Sequence, residues 1–159
     1  MTWKVTVERN TLRFSAAHFT TFGDDCEPLH GHNYDVVVEV EGELTEDSWV
    51  IDFTELKKIA RGLCQELDHR FLLQRDSRVL QVEEGDDAWT VRFGSRQWVF
   101  PRAEVVPLPI DNTTAERLAE WFCTGLREQL REAGARNVTA VTVGVEEAPG
   151  QAGWCRLPA

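Results

Sequence analysis

The spacing of apolar residues along the chain predicts strands near both ends and two helices between them. Apolar positions alternate in places over residues 3–17 and keep one parity over residues 34–40, which is typical of half-buried strands. A third alternating run, over residues 138–147, predicts a final long strand. Apolar residues recur at helical spacing over residues 56–67 and again over 118–130, so each of these segments predicts an amphipathic helix.

Capping residues mark where the two predicted helices begin. Asp52 stands before the first helical run with Glu55 three residues later, and Asn112-Thr113-Thr114 stands before the second. Such side chains accept hydrogen bonds from the free N–H groups of a first helical turn. The polar residues 20–28 predict a loop between the first two strands.

Residues 77–106 show a different pattern of apolar and turn residues from the rest of the chain. Short apolar runs are separated there by turn residues at 84–87 and 94–95, which predicts a β-meander added to the main fold. The complete order is strand, strand, helix, extra strands, helix and strand, which favours an α+β fold over a doubly wound sheet. A length of 159 residues fits one domain spanning residues 1–159.

The charge balance narrows the expected partners. Lys and Arg number 17 against 27 Asp and Glu, a formal net charge of −10, so broad attraction to nucleic acid or to an anionic membrane is not expected. No apolar run approaches the roughly 20 residues of a membrane span, and no secretory signal opens the chain. Four scattered cysteines do not make a disulfide scaffold. We therefore expect a soluble, cytoplasmic protein with reduced thiols.

The histidines give the first indication of chemistry. The chain has four of them: His18, His30, His32 and His69. His30 and His32 are two apart in a predicted strand, so both imidazoles project from one face and could bind one metal ion. His18, at the end of the first strand, could supply a third ligand, which would leave a fourth position open as in catalytic zinc sites. A bare His-x-His is also common among ordinary surface histidines, so both interpretations stay open on this pattern alone.

The cysteines divide into two groups. Cys26 precedes His30 by four residues on the polar loop, so we do not expect it in the hydrophobic core. It could be a fourth metal ligand, a nucleophile or base, or an idle loop thiol; a nearby dication and imidazole would lower the pKa of the thiol. Cys64 and Cys123 fall on or beside the apolar stripes of the predicted helices and are expected to be core residues. Cys155 is unassigned.

Further titratable groups stand at the ends of predicted elements. Asp68 and His69 follow the first helix, where the helix dipole favours a charged imidazole and an adjacent carboxylate can fix its tautomer. Glu147 ends the last strand. A carboxylate there is either a solvated charge or a group that grips an amidine-like edge of a ligand.

These residues lie within a series of motifs that covers most of the chain. The motifs are Phe14-Ser15-Ala16-Ala17-His18, Cys26-x-x-Leu29-His30-Gly31-His32-Asn33-Tyr34, Asp52-Phe53-x-x-Leu56-Lys57, Leu67-Asp68-His69-x-x-Leu72, Asn112-x-Thr114-x-Glu116 and Val143-x-Val145-x-Glu147. They resemble the 6-pyruvoyltetrahydropterin synthase / 6-carboxytetrahydropterin synthase family, and mainly residues 73–110 fall outside the match. The short spacing from Cys26 to His30 is more similar to the bacterial 6-carboxytetrahydropterin synthases of queuosine biosynthesis than to the animal enzymes.

The resemblance implies a fold and an assembly. It implies the tunnelling fold, an antiparallel sheet of four strands with two helices packed on one face, here with an inserted β-meander at about residues 73–106. Subunits of this fold join their sheets into a barrel as trimers, and trimers pair as hexamers. The active site then lies between subunits of a homo-oligomer.

The resemblance also implies roles for individual residues. His18, His30 and His32 would bind zinc, Cys26 would be the general base or acid, and Asp68 with His69 would complete a proton relay. Glu147 would anchor the 2-amino-4-oxo edge of a pterin, with Thr113 or Thr114 assisting through a hydroxyl or the backbone.

The implied activity is that of a zinc-dependent lyase acting on 7,8-dihydroneopterin triphosphate, with loss of triphosphate and acetaldehyde to give the 6-carboxy product. The runner-up is 6-pyruvoyltetrahydropterin synthase activity or another cleavage of a dihydropterin side chain. A third possibility is a pterin-binding homologue that has lost turnover because the insertion fills the pocket.

The sequence departs from the family pattern in three places. Ala148 replaces the usual Thr after the anchoring Glu, and Thr113 replaces the usual Pro. The extra segment follows Leu-Asp-His, so it could narrow the site, change the substrate or extend an outer sheet. A triphosphate substrate would also need locally gathered basic groups, for which Arg13, Lys57 and Arg70 are candidates in this acidic chain.

Overall fold

The computed structural model describes residues 1–159, apart from the side chain of Arg9. The helices are α1 (Phe53–Leu67) and α2 (Ala115–Glu132). The strands are β1 (Trp3–His18), β2 (Thr21–Phe22), β3 (Asp25–Cys26), β4 (His30–Gly42), β5 (Arg70–Gln74), β6 (Gln81–Glu84), β7 (Ala88–Phe93), β8 (Arg96–Pro101), β9 (Val105–Leu108), β10 (Val138–Ala148) and β11 (Gln151–Pro158). The α+β class is therefore confirmed.

The main sheet has the strand order β11-β10-β4-β1-β5-β9. Its first four strands are antiparallel to their neighbours, as predicted, whereas β5 and β9 add two parallel pairings. The sequence pattern did not predict β5, because Phe71-Leu72-Leu73 is buried at successive positions and shows no alternation. Periodicity alone cannot assign a short, continuous apolar run of this kind.

The helices bury their apolar stripes against one face of this sheet. The strand residues Val36, Val38 and Val40 are at most 2% exposed beneath them, and Cys64 and Cys123 are buried in the same core, as expected. Both helices begin at the predicted caps: the side chain of Asp52 accepts a hydrogen bond from the N–H of Thr54, and that of Thr114 from the N–H of Arg117. Among the described residues, no helix combines the length and apolar character that crossing a membrane requires.

The inserted meander, β6 to β8, forms a separate antiparallel sheet of three strands. It encloses a second hydrophobic cluster, in which Trp89 packs with Phe19 and Phe71 of the main fold. The Phe71 and Phe100 rings stack with their centroids 4.0 Å apart. The extra segment therefore packs beside the ends of β1 and β5, and only its continuation, β9, extends the main sheet.

Strand β11 is a further element that the sequence pattern did not predict, as are the two-residue strands β2 and β3 within the predicted loop and the short strand β9. The inward residues of β11 alternate with exposed ones, but Gly150, just before the strand, and Gly153, within it, weaken the hydrophobic signal. Gly153 faces the beginning of α2, where a Cβ atom would lie 2.5 Å from the carbonyl carbon of Ala115 and even closer to the backbone nitrogen of Glu116. The absence of a side chain at Gly153 lets the first turn of α2 approach the sheet.

We therefore expect Gly153→Ala to lower the free energy of unfolding by about 2 kcal/mol or more, since the clash is with backbone that cannot turn aside. Gly62→Ala is the matched control, because a Cβ atom at this position in α1 meets nothing within 4 Å. That change should be neutral or stabilise by up to about 1 kcal/mol. Urea unfolding of both variants tests this, and equal stability of the two would contradict it.

Candidate active site

Strand pairing brings three histidines together. In the β1–β4 ladder His18 lies directly opposite His30, and His32 pairs with Ala16 one step further along the same face. One ring nitrogen from each histidine lies within 4.8 Å of the other two. The predicted juxtaposition is confirmed, and it continues the face that carries Tyr34 into the core.

Backbone carbonyls fix the orientation of two of these rings. The Nδ1 of His18 lies 3.1 Å from the carbonyl oxygen of Thr113, and the Nδ1 of His30 lies 2.8 Å from that of Pro28. A carbonyl can only accept, so Nδ1 carries the proton in both rings, and in a neutral ring Nε2 then presents the lone pair. This is the tautomer that binds a metal ion through Nε2.

The inward nitrogens have no hydrogen-bond partner of their own. The Oε1 of Glu147 lies 3.1 Å from the Nε2 of His18 and 3.4 Å from that of His32, but outside hydrogen-bonding geometry, so both nitrogens stay buried and unsatisfied. Unpaired buried nitrogens cost free energy unless another partner satisfies them. Three imidazoles whose ring nitrogens lie within 4.8 Å of one another therefore fit a metal ion, and a fourth position remains for water or substrate.

Burial also keeps His18 neutral. The ring is wholly buried, and desolvation, followed by the nearby His30, lowers the pKa of His18 from 6.5 to about 4. A neutral imidazole is the form that binds a metal ion.

The stability of the metal-free protein should therefore fall as the pH is lowered from about 6.5 to about 4. In this window the unfolded chain takes up a proton at His18 that the folded chain does not, so acid favours unfolding. The full effect is about 3 kcal/mol. Denaturant unfolding in EDTA at several pH values measures it, and His18→Gln should flatten the slope. A stability that rises on acidification in this window would contradict the assignment.

Cys26 lies where the sequence did not place it. Its side chain is only 3% exposed and belongs to the second hydrophobic cluster, so the expectation that it lies outside the core is wrong. The physical reason is the inserted meander, which supplies apolar partners to the short β2–β3 hairpin. The Sγ atom donates to the carbonyl oxygen of Glu27 at 3.5 Å, and burial raises the pKa of the thiol. Within the described residues, the group able to hold a metal consists of the three histidines without Cys26.

Glu27 is a site residue that the sequence analysis missed. Its Oε2 accepts a hydrogen bond from the N–H of Thr20 at 3.0 Å and lies 3.9 Å from the Nε2 of His30. Burial opposes ionisation, but the hydrogen bonds from Thr20 and the neighbouring histidines outweigh it and lower the pKa of the carboxyl. Its position next to Cys26 and three residues before His30 was the available signal.

Asp68 and His69 form the contact that their adjacency allowed. The Nδ1 of His69 lies 2.9 Å from the Oδ2 of Asp68, while the Oδ1 accepts from the N–H of Ser15 at 2.8 Å. That second bond is the main reason why the pKa of the Asp68 carboxyl is lowered. The His69 side chain is 82% exposed, and it borders a cavity of about 540 Å³ that His32 also lines. Phe100 of the inserted meander lines the same cavity.

Of the three predicted pterin-binding residues, Thr113 is buried away from both cavities, whereas Thr114 and Glu147 line one of them. Thr113 is buried, and its hydroxyl donates to the carbonyl oxygen of Phe19 at 3.0 Å. The carbonyl oxygen of Thr113 accepts from the Nδ1 of His18. Thr114 and Glu147 instead line a second cavity of about 360 Å³ at the beginning of α2. Glu147 thus adjoins both this cavity and the histidines.

Two of the three candidate basic residues, Arg13 and Arg70, line neighbouring cavities that share Ser15 and Asn33. Arg13 is engaged with Asp35, its Nε lying 2.7 Å from the Oδ1 of Asp35. Arg70 lines the larger cavity beside His69. Lys57 lies on α1 and lines neither cavity.

Comparison with known proteins gives consistent matches. A sequence model of the family described as 6-pyruvoyl tetrahydropterin synthase matches residues 6–157. A protein of Methanocaldococcus jannaschii named as a putative 6-carboxy-5,6,7,8-tetrahydropterin synthase is 35% identical over 141 residues, covering 88% of this chain and 86% of its own length. A protein of Pyrococcus horikoshii with the same name is 34% identical over 154 residues, covering 94% of this chain and 90% of its own.

A solved structure matches over the full length. The 6-pyruvoyl tetrahydropterin synthase of Plasmodium vivax has a TM-score of 0.92 and 31% sequence identity, covering 100% of this chain and 99% of its own. A further structure of that enzyme, with a TM-score of 0.93, carries a substitution of a glutamate named there as a catalytic residue. The match includes the segment that sequence motifs left unassigned.

Proposed function

This chain belongs to the 6-pyruvoyl tetrahydropterin synthase family, and from this premise we propose that it is a zinc-dependent 6-carboxy-5,6,7,8-tetrahydropterin synthase. It would convert 7,8-dihydroneopterin triphosphate and water into the 6-carboxy product, with release of triphosphate and acetaldehyde, in the cytoplasm and in the service of queuosine synthesis. The family is one of dihydropterin side-chain lyases. The observation that carries the proposal is the set of three imidazoles whose ring nitrogens lie within 4.8 Å of one another, with the Nε2 atoms of His18 and His32 buried and unsatisfied beside Glu147.

The metal would be held by His18, His30 and His32. When bound, zinc supplies Lewis-acid stabilisation of negative charge on substrate oxygens. The protein prepares this site by holding two of the rings in the tautomer that binds metal, through the carbonyls of Thr113 and Pro28.

Glu147 and the beginning of α2 would orient the pterin. A carboxylate accepts two parallel N–H groups from a 2-amino-4-oxo ring edge, as it does from a guanidinium. Thr114 borders the same cavity, whereas the hydroxyl of Thr113 is already committed to Phe19. We therefore assign Thr114 to the substrate and Thr113 to the support of His18.

Proton transfer would fall to groups on two sides of the metal site. Asp68 fixes the Nδ1 of His69, which leaves the exposed Nε2 free to give or take a proton. Cys26 would act as the general base or acid on the other side, on the loop that precedes His30.

The assembly we propose is a homo-oligomer, a trimer or hexamer, with active sites between subunits. Two observations support it. Within the described chain, β11 pairs with β10 alone, and β1 pairs on its other side only through Ala16 and Ala17, so the antiparallel strands have free edges at both ends. His69 is largely exposed, as a group that completes a neighbouring site would be.

A second candidate activity follows from Glu27. The P. vivax enzyme has a glutamate described as a catalytic residue, and here Glu27 places an ionised carboxylate 3.9 Å from His30 while the Cys26 thiol is buried. A carboxylate base would favour 6-pyruvoyltetrahydropterin formation or another cleavage of the dihydropterin side chain.

Product analysis separates these activities. Purified protein incubated with dihydroneopterin triphosphate should give 6-carboxytetrahydropterin, acetaldehyde and triphosphate by mass spectrometry. A 6-pyruvoyl or a differently cleaved pterin would favour the second candidate. Pterin binding without any product would sink the enzyme proposal and leave a binding protein.

A further inference from the structure

An arginine of the inserted meander donates a hydrogen bond to the loop that carries Cys26. The Nη2 of Arg96 donates to the carbonyl oxygen of Cys26 at 2.8 Å and lies near Asp25, 3.7 Å from its Oδ1. Arg96 is the first residue of β8, directly after the tight turn at Gly94, whose φ of +56° is in the left-handed region. The turn therefore aims the guanidinium at residues 20–28, called here the Cys26 loop.

The aromatic residues of the meander hold this arginine in place. Its guanidinium carbon lies 5.0 Å from the centre of the Phe93 ring and 5.5 Å from that of Trp98. Such cation–π contacts restrict a side chain that would otherwise sample many rotamers. The Trp98 ring in turn packs 4.7 Å from Phe19, the residue after His18. Arg96 is thus fixed relative to the histidine strand.

Other hydrogen bonds hold the Cys26 loop at its two ends. Asn112 exchanges two with the backbone of Thr21, and the carbonyl oxygen of Pro28 accepts one from the Nδ1 of His30. The N–H of Glu27 donates to the carbonyl oxygen of Thr20, and the side chain of Glu27 accepts from the N–H of Thr20, each at 3.0 Å. Two-residue strands such as β2 and β3 have little ladder of their own to keep the hairpin in position. A charge-assisted bond from Arg96 holds the far side.

We infer that Arg96 is a positioning residue for proton transfer: the inserted meander uses its guanidinium to hold the Cys26 loop against the histidine site. This inference rests on the proposed function, because it assumes that a group on this loop moves a proton. It gives the extra segment a role other than filling the pocket. Arg96 lines neither of the two cavities, so the inference assigns it no contact with substrate.

The first test measures the loop and does not depend on activity. Iodoacetamide alkylation of Cys26, followed by peptide mass spectrometry, reports how often the loop opens, because this thiol is buried when it is closed. Arg96→Met should speed alkylation of Cys26 by about tenfold, the effect of losing a hydrogen bond to a charged group. Cys155, on the far edge of the main sheet, serves as the internal reference and should react at the same rate in every variant.

Arg92→Met is the matched control. Arg92 lies on the same meander, is 41% exposed against 38% for Arg96, and bonds to Gln97 and Glu83 without touching the loop. In Arg92→Met, Cys26 should be alkylated at the wild-type rate. Arg96→Lys, which keeps the charge but not the planar guanidinium, should fall between the two. If Arg96→Met does not fold, Arg96→Lys alone serves as the test. Faster alkylation of Cys26 in Arg96→Lys than in Arg92→Met would support the inference, and an equal rate would overturn it.

Turnover gives the second readout. Arg96→Met should lower kcat by about tenfold while KM changes little, because the loop moves protons and the arginine does not meet the substrate. Alkylation and kcat equal to those of Arg92→Met would overturn the inference. If the wild type makes no product, the proposed function fails, yet the alkylation rates still decide whether Arg96 holds the loop.

Discussion

Replacing His30 by alanine is expected to abolish both stoichiometric metal binding and turnover. The wild-type protein should hold about one ion per chain, since three imidazoles place their ring nitrogens within 4.8 Å of one another. Loss of a group that merely supports a metal ligand costs about 10- to 100-fold in affinity, so loss of one of three ligands should cost at least about 100-fold. His30 suits the test because its ring is 38% exposed, and its removal leaves no core cavity. His18 is wholly buried, so its replacement would mix folding with binding.

His69→Ala provides the contrast. It removes the same side chain from a position 82% exposed and outside the group of three, so metal content should stay at about one ion per chain while turnover falls. Metal analysis after gel filtration and product formation are measured on the same samples. The metal-site assignment fails if His30→Ala retains a full complement of metal, or if wild-type protein stripped of metal remains active.

The histidine site was predictable because it depends on local geometry alone. A strand sets the face that His30 and His32 share, and the pairing of two adjacent antiparallel strands puts His18 opposite His30. The two helices were equally predictable from the sequence, since helical periodicity and the caps at Asp52 and Thr114 agree with each other. Elements whose local signals coincide need no knowledge of the rest of the fold.

The environment of Cys26 was not predictable, because its partners come from elsewhere in the chain. A polar loop sequence gives no sign that Trp89 and Phe71 will enclose the thiol, nor that Arg96 will reach its carbonyl from 70 residues away. Strand β5 was not predicted for a related reason, since burial on both faces removes the alternation that identifies a strand. Glu27 was missed because its carboxylate acquires a position only when Thr20 and His30 surround it.

Cys26→Ala is expected to keep the metal and lose turnover by about 100-fold or more, the usual contribution of a positioned general acid or base. Glu27→Gln is the companion variant, since it changes the neighbouring candidate and keeps its shape. If Cys26→Ala stays active while Glu27→Gln does not, the carboxylate is the base. Loss of metal in Cys26→Ala would instead make the thiol a ligand.

The pH dependence of kcat/KM also distinguishes the two bases. Burial raises the pKa of the Cys26 thiol, whereas the hydrogen bonds of Thr20 help to lower that of the Glu27 carboxyl. A base must be deprotonated to act, so a thiol base gives activity that still rises with pH above neutrality, and a carboxylate base gives activity already level there. A bound cation lowers both pKa values, so the comparison is made at equal metal content, with Glu27→Gln and Cys26→Ala measured alongside the wild type. With Cys26 as the base, the wild type should show the rising limb, and a profile level from pH 6 to 8 would transfer the role to Glu27.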